Sequence, residues 1–143
     1  MSTITAANSV VLISVTGLFD VPQQLQGFSA DDVTDTDSLA PAETMMGVDG
    51  RLSGGWVPVP IVQSITLQAD SFSNQLFERW YMAQQAQRES YIANGSIFLP
   101  ATGRKYTMTR GFLTGVMVTP QVKKVLQPRK YSVTWESITA AGF

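Results

Sequence analysis

Residues 71–89, SFSNQLFERWYMAQQAQRE, constrain the chain most, because this stretch alone has helical spacing while the other apolar runs read as strand. Leu76, Phe77, Trp80 and Ala83 fall on one side of a 3.6-residue helix, and Glu78, Met82, Gln85 and Glu89 on the other. Ser73 stands where a hydroxyl accepts from an unpaired N–H of the first turn. Phe72 and Phe77 have the spacing of a hydrophobic staple. The spacing predicts a helix over about residues 73–89, roughly 22 Å long, enough to cover one side of a small sheet. Leu76, Phe77 and Trp80 are the expected core of that helix. Its role is structural, not catalytic.

The strands around it follow from period-two alternation. Ser9–Thr16, SVVLISVT, is β-branched and apolar, the pattern of a strand buried on both faces. In 61–69, Ile65 and Leu67 oppose Ser64, Thr66 and Gln68. In 104–110, Tyr106 and Met108 oppose Lys105, Thr107 and Thr109. Residues 111–120, GFLTGVMVTP, are apolar on both faces. In 129–137, Tyr131, Val133 and Trp135 oppose Ser132, Thr134 and Glu136. Asn94-Gly95 marks a turn or bulge, and QVKKVLQPRK a basic connection ended by Pro128. The short SADDVT suits a charged edge strand. Three strands thus have a polar face, and the order strands, helix, strands predicts a mainly β domain over 1–143. Its form is a β-sandwich or partly open barrel with one flanking α-helix.

Residues 43–60, ETMMGVDGRLSGGWVPVP, predict a projecting hairpin, with Asp49-Gly50 as the turn signal. Met45, Met46, Val48 and Trp56 make its arms apolar, and an apolar two-stranded hairpin is marginal by itself. It packs either inside its own chain or against a partner. The charges are also lopsided. Residues 1–50 carry seven acids and no base, whereas 51–143 carry all ten bases and four acids, a net of +6. Two solvated surfaces account for this, as does an acidic face (Asp31, Asp32, Asp35) meeting a basic one (Lys123, Lys124, Arg129, Lys130) on a neighbouring copy.

Chemistry is excluded more readily than it is found. The sequence has no histidine and no cysteine, which removes Ser-His-Asp triads, Cys-His dyads, disulfides and ordinary zinc sites. No phosphate-binding or hydrolase motif is present. Asp31, Asp32, Asp35 and Asp37 lack the glycine and distal glutamate of a calcium loop. The expectation is no catalytic residue, no metal and no cofactor. A pI near 5.2 and bases beside a turn argue against sequence-specific nucleic-acid binding. MSTITAANSV has no basic leader region, and Val10–Val15 is too short to span a membrane, so synthesis in a cytoplasm without export is expected.

Four segments, ETMMGVDGRLSGGWVPVP, ITLQADS leading into FERWYMAQQA, LPATGRKYTMTRGFLTG and KKVLQPRKYSVTW, resemble the small tail-tube proteins of contractile-tailed bacteriophages. The resemblance covers roughly residues 44–136. It implies a β-sandwich with a side helix, assembled as hexameric rings that stack into a tube inside a contractile sheath. The type VI secretion tube protein shares that design. The family's inter-ring hairpin maps onto Met45, Met46, Val48, Asp49, Gly50 and Trp56. The polar faces implied to line the channel carry Ser64, Thr66, Gln68, Thr107, Thr109, Ser132 and Thr134. Implied partners are further copies of the chain, the sheath protein, baseplate and tape-measure proteins, and DNA passing without specific binding. The implied location is the virion tail, assembled in the bacterial host cytoplasm. Two other readings stay open: a carbohydrate-binding β-sandwich module using Trp56 as a stacking platform, and a glycosidase using a pair of carboxylates.

Overall fold

The computed structural model describes residues 9–26, 34–36, 38–119 and 122–142. They form strands β1 (Val10–Val15), β2 (Phe19–Gln24), β3 (Thr34–Thr36), β4 (Ala42–Met46), β5 (Leu52–Trp56) and β6 (Ile61–Leu67). Helix α1 (Asn74–Gln87) follows, then β7 (Ala93–Leu99), β8 (Arg104–Val116) and β9 (Arg129–Gly142). Seven strands make one antiparallel sheet in the order β2-β1-β7-β8-β9-β6-β3, and β4 and β5 pair separately. Strands β2 and β3 are its two edges among the described residues, so the sheet does not close into a barrel. The fold is mainly β with one helix, consistent with a sandwich, as the alternation predicts.

The core lies on one face of this sheet. Val11, Ile13, Val15, Ile65, Leu67, Met108, Tyr131, Val133 and Trp135 face inward from four strands and meet Leu76, Phe77 and Trp80 of the helix. The Phe77 ring stacks on Tyr131 at 4.2 Å between centroids. Two buried polar pairs lock that packing. The Tyr131 hydroxyl donates to Asn74 Oδ1 at 2.9 Å, while Asn74 Nδ2 donates to the Gln68 and Ser71 carbonyls. Trp135 Nε1 donates to Gln63 Oε1 at 3.0 Å. Buried polar groups satisfied in this way fix one packing arrangement.

Several local expectations are corrected. The Ser73 hydroxyl caps nothing in the helix; it accepts from the Gln26 N–H at 2.8 Å, and the Ser71 hydroxyl donates to the Gln26 carbonyl. Both serines therefore fasten the end of β2 to the helix start instead of closing the first turn. Phe72 is 82% exposed and staples nothing to buried Phe77. The helix is shorter than expected by one residue at its start and two at its end, where Arg88 takes a left-handed conformation. Strand β1 is buried on one face only, because Val10, Leu12 and Ser14 share the outer sheet face. In β8, Phe112 and Val116 are likewise only half buried. Asn94-Gly95 is a bulge in the β7–β8 pairing. The edge strand begins at Thr34, and residues 29–33 of the expected one lie outside the described residues.

The inward–outward alternation of β8 breaks at Arg110. Arg110 takes φ 49°, with its N–H held by Asn94 Oδ1, so both Met108 and Gly111 face the core three residues apart. Trp135 lies over Gly111 closely enough that a Cβ there would stand 2.4 Å from the indole. Only glycine fits beneath that ring.

Candidate assembly surfaces

The outer face of the sheet gathers polar side chains from neighbouring strands. Ser64 lies opposite Ser132 across β6–β9, and Thr134 opposite Phe112 across β8–β9. Thr114 and Thr134 share a hydroxyl hydrogen bond of 2.9 Å. Thr66 follows Ser64 on the same face, and Thr107 and Thr109 flank inward-facing Met108. Gln68 is exposed one residue beyond β6. Six of the seven predicted polar residues therefore share one strand face, and Gln68 stands at its margin. The same surface also holds Lys105 and Glu136, which alternation places on the polar faces, together with Lys130 and an Arg110–Glu136 ion pair at 3.5 Å.

The β4–β5 hairpin is the second surface. Its turn is built by backbone chemistry: the Gly47 carbonyl accepts from the Gly50 N–H, Asp49 Oδ1 accepts from the Arg51 N–H, and Gly50 takes φ 84°. That is a type I turn followed by a left-handed residue, for which Asp-Gly is well suited. The register Ala42↔Trp56, Thr44↔Gly54 and Met46↔Leu52 puts Trp56, Ala42, Met46 and Leu52 on one face. Every residue of both strands is exposed, Trp56 by 80% and Met45 by 77%. A backbone bond from the Val57 N–H to the Pro41 carbonyl closes the base.

The predicted charge surface divides. Asp35 is exposed on β3, while Asp31 and Asp32 lie outside the described residues. Lys123, Lys124 and Lys130 are exposed. Arg129 departs from this set. It is 3% exposed, pairs with Glu78 of the helix, and donates to the Met117 and Val118 carbonyls at 2.8 and 2.9 Å. Its guanidinium is committed within the chain, tying the end of β8 to α1 in the manner of a bidentate donor. Run-of-charge reading missed this because it ignores that Arg129 precedes Tyr131 on the inward face of β9.

Around the connection from β8 to β9, the described residues Val118, Val122, Val125 and Leu126 are exposed apolar groups that sequence reading did not single out. Among the described residues no cluster of three acidic, histidine or cysteine side chains is placed to hold a metal, and no helix is long and apolar enough to cross a membrane.

The fold is shared with parts of contractile injection systems. A chain of the anti-feeding prophage tube-terminating cap matches with a TM-score of 0.61 at 14% identity, over 100% of this chain and 93% of that one. A chain of the six-fold symmetrised anti-feeding prophage baseplate matches at 0.59 and 10% identity, over 99% and 98%. A chain of the sheath-tube complex of an extracellular contractile injection system, in its extended state, matches at 0.60 and 12%, over 99% and 93%. No curated protein sequence matches. The family described as tail fiber protein gp32 matches residues 2–139, nearly the whole length. The chain belongs to the tail fiber protein gp32 family and is a structural component of a tail.

Proposed function

We propose that this chain is a tail-tube subunit, a single domain over 1–143 that joins copies of itself into hexameric rings. The rings stack into a hollow conduit for DNA inside a contractile sheath. The role is geometric, with no reaction catalysed and no cofactor required. The observation that carries this reading is the hairpin of β4 and β5, exposed along its whole length and apolar on its Trp56 face. Exposed apolar surface of this kind marks an interaction site. The whole-length fold likeness to chains from a sheath-tube complex, a tube-terminating cap and a six-fold symmetrised baseplate supports it.

Two further features agree with a ring. Strands β2 and β3 stand at opposite edges of the sheet with no further strand beside them among the described residues, and side-by-side association would pair those edges. The outer face with Ser64, Thr66, Thr107, Thr109, Ser132 and Thr134 would then line the channel, with Gln68 at its margin. Hydroxyl groups let DNA pass because they do not hold phosphates as clustered bases do. Exposed Asp35 of one copy and exposed Lys123 and Lys124 of the next would guide register between copies, whereas Lys130 shares the channel face. Sheath, baseplate and tape-measure proteins complete the partners of such a subunit in a virion tail assembled in the host cytoplasm.

Electron microscopy of the purified protein tests this directly. Rings with an open centre, and stacks of them, are expected; small globular particles alone at high concentration overturn it. A second reading, a receptor-binding fibre module that stacks sugar on Trp56, is favoured by the exposure of that indole and by the family's fibre description. Glycan binding by a monomer that forms no rings would select it.

A further inference from the structure

We propose that the hairpin of one copy seats in a groove at the far end of the next copy, between the β8–β9 connection and the corner that follows β6. The inference rests on the tube reading above and names the surface that receives the hairpin. The groove is lined by Gln68, Ala69 and Asp70 on one side and by Val125, Leu126 and Pro128 on the other.

Position supports it first. The chain leaves the hairpin at Trp56 and enters β6 at Ile61, which lies opposite Trp135. Strand β6 ends at Leu67, opposite Arg129, where the β8–β9 connection joins β9. A seven-residue strand separates the two surfaces by about 20 Å. Hairpin and groove thus stand at opposite ends of one strand. A contact between different surfaces at opposite ends is heterologous and repeats from copy to copy, so it builds a stack instead of a closed dimer.

Chemistry supports it second. The hairpin face offers Trp56, Met46, Leu52 and Ala42, and the groove offers Val125, Leu126 and Pro128, with Val122 exposed beside it. Each side leaves large apolar groups in water in the separate chain, and joining them removes both from solvent. Charge is complementary too. Glu43 and Asp49 against Arg51 leave the hairpin at −1, whereas Lys123 and Lys124 against Asp70 leave the groove region at +1.

The chain has no cysteine, so introduced thiols report contact without background. Thr44→Cys places a thiol on the Trp56 face of the hairpin, and Gln68→Cys places one at the groove. Oxidation of an equimolar mixture of the two variants under assembling conditions is expected to give covalent dimers that neither variant gives alone. Stacked rings in the same mixture without that cross-link overturn the inference while leaving the tube reading intact. Wild-type protein that forms no rings overturns both. Leu126→Asp, at an exposed position, is expected to leave single rings that no longer stack; tubes as long as those of the wild type count against the groove.

Discussion

Trp80 and Trp56 carry the same side chain into opposite surroundings. Trp80 is 0% exposed, packed beneath the sheet beside Phe77 at 6.2 Å between ring centroids; Trp56 is 80% exposed on a hairpin that buries none of its residues. The core that holds Trp80 is tied together by pairs within one copy: Asn74 with Tyr131, Trp135 with Gln63, Arg129 with Glu78. Around Trp56, the ordered turn at Gly47–Arg51 shapes a surface that the single copy does not use. If the chain is the tube subunit proposed above, it has to fold alone and associate later, and the two tryptophans would divide those tasks. The helix half is self-sufficient. The hairpin half is preformed.

Truncation at Trp80 probes the first half with the largest expected effect. Trp80→Ala should lower unfolding free energy by about 3–5 kcal/mol, the usual cost of removing a buried aromatic side chain. Urea titration of the monomer measures it. A loss below about 1 kcal/mol would place Trp80 outside the cooperative core and erase the contrast with Trp56.

Alkaline pH probes the same half through Tyr131. Burial pushes its phenol from 10.0 up to about 12, with Glu78 adding to the rise and the Arg129 charge opposing it. The neutral phenol is the form that the folded chain holds. Between these two values the unfolded chain releases a proton that the folded chain keeps, so stability falls as pH rises. The contribution is present below pH 10 and is lost as pH rises through about 12, a loss of about 2 kcal/mol. Tyr131→Phe should remove this part of the alkaline loss, while costing about 1 kcal/mol at neutral pH through the hydrogen bond to Asn74. Denaturation midpoints of both proteins across that window decide it; parallel losses would mean that the phenol ionises as easily in the fold as outside it.

A smaller effect belongs to Gly111. Gly111→Ala forces a methyl group against the Trp135 indole and should cost about 1–3 kcal/mol, the range for overpacking. Thermal melts with near-ultraviolet circular dichroism would show both the lost stability and the displaced ring.

How much of this was legible depends on the range of the interaction. The helix and the inward residues of β6, β8 and β9 are written in local periodicity, since Leu76, Phe77 and Trp80, or Tyr131, Val133 and Trp135, share a face wherever the element goes. The Asp49-Gly50 turn is likewise local. What was not legible depends on partners far apart in the chain. Arg129 looks like a surface base until Glu78 and the Met117 and Val118 carbonyls arrive to hold it. Ser73 looks like a helix cap until Gln26 claims its hydroxyl. The need for glycine at 111 depends on where Trp135 lies. The Val122–Leu126 patch carries no periodic signal at all, because its exposure follows from the path of a connection.

Trp56→Ala is the smallest change in the folded monomer and the one that separates the two halves most sharply. The indole is mostly in water already, and Ala42, its cross-strand neighbour, offers little surface for it to cover. Truncation should therefore move monomer stability by less than about 0.5 kcal/mol, as at other exposed positions. Ring stacking should suffer far more, since a large aromatic side chain at the centre of a contact commonly contributes 2 kcal/mol or more, roughly a thirtyfold loss in association. The useful measurement is the ratio of the two effects, read from urea midpoints and from tube length in the same preparation. If Trp56→Ala unfolds the monomer, the hairpin belongs to the self-sufficient half after all. If it leaves both folding and tube length unchanged, the apolar face of β4 and β5 serves something other than assembly.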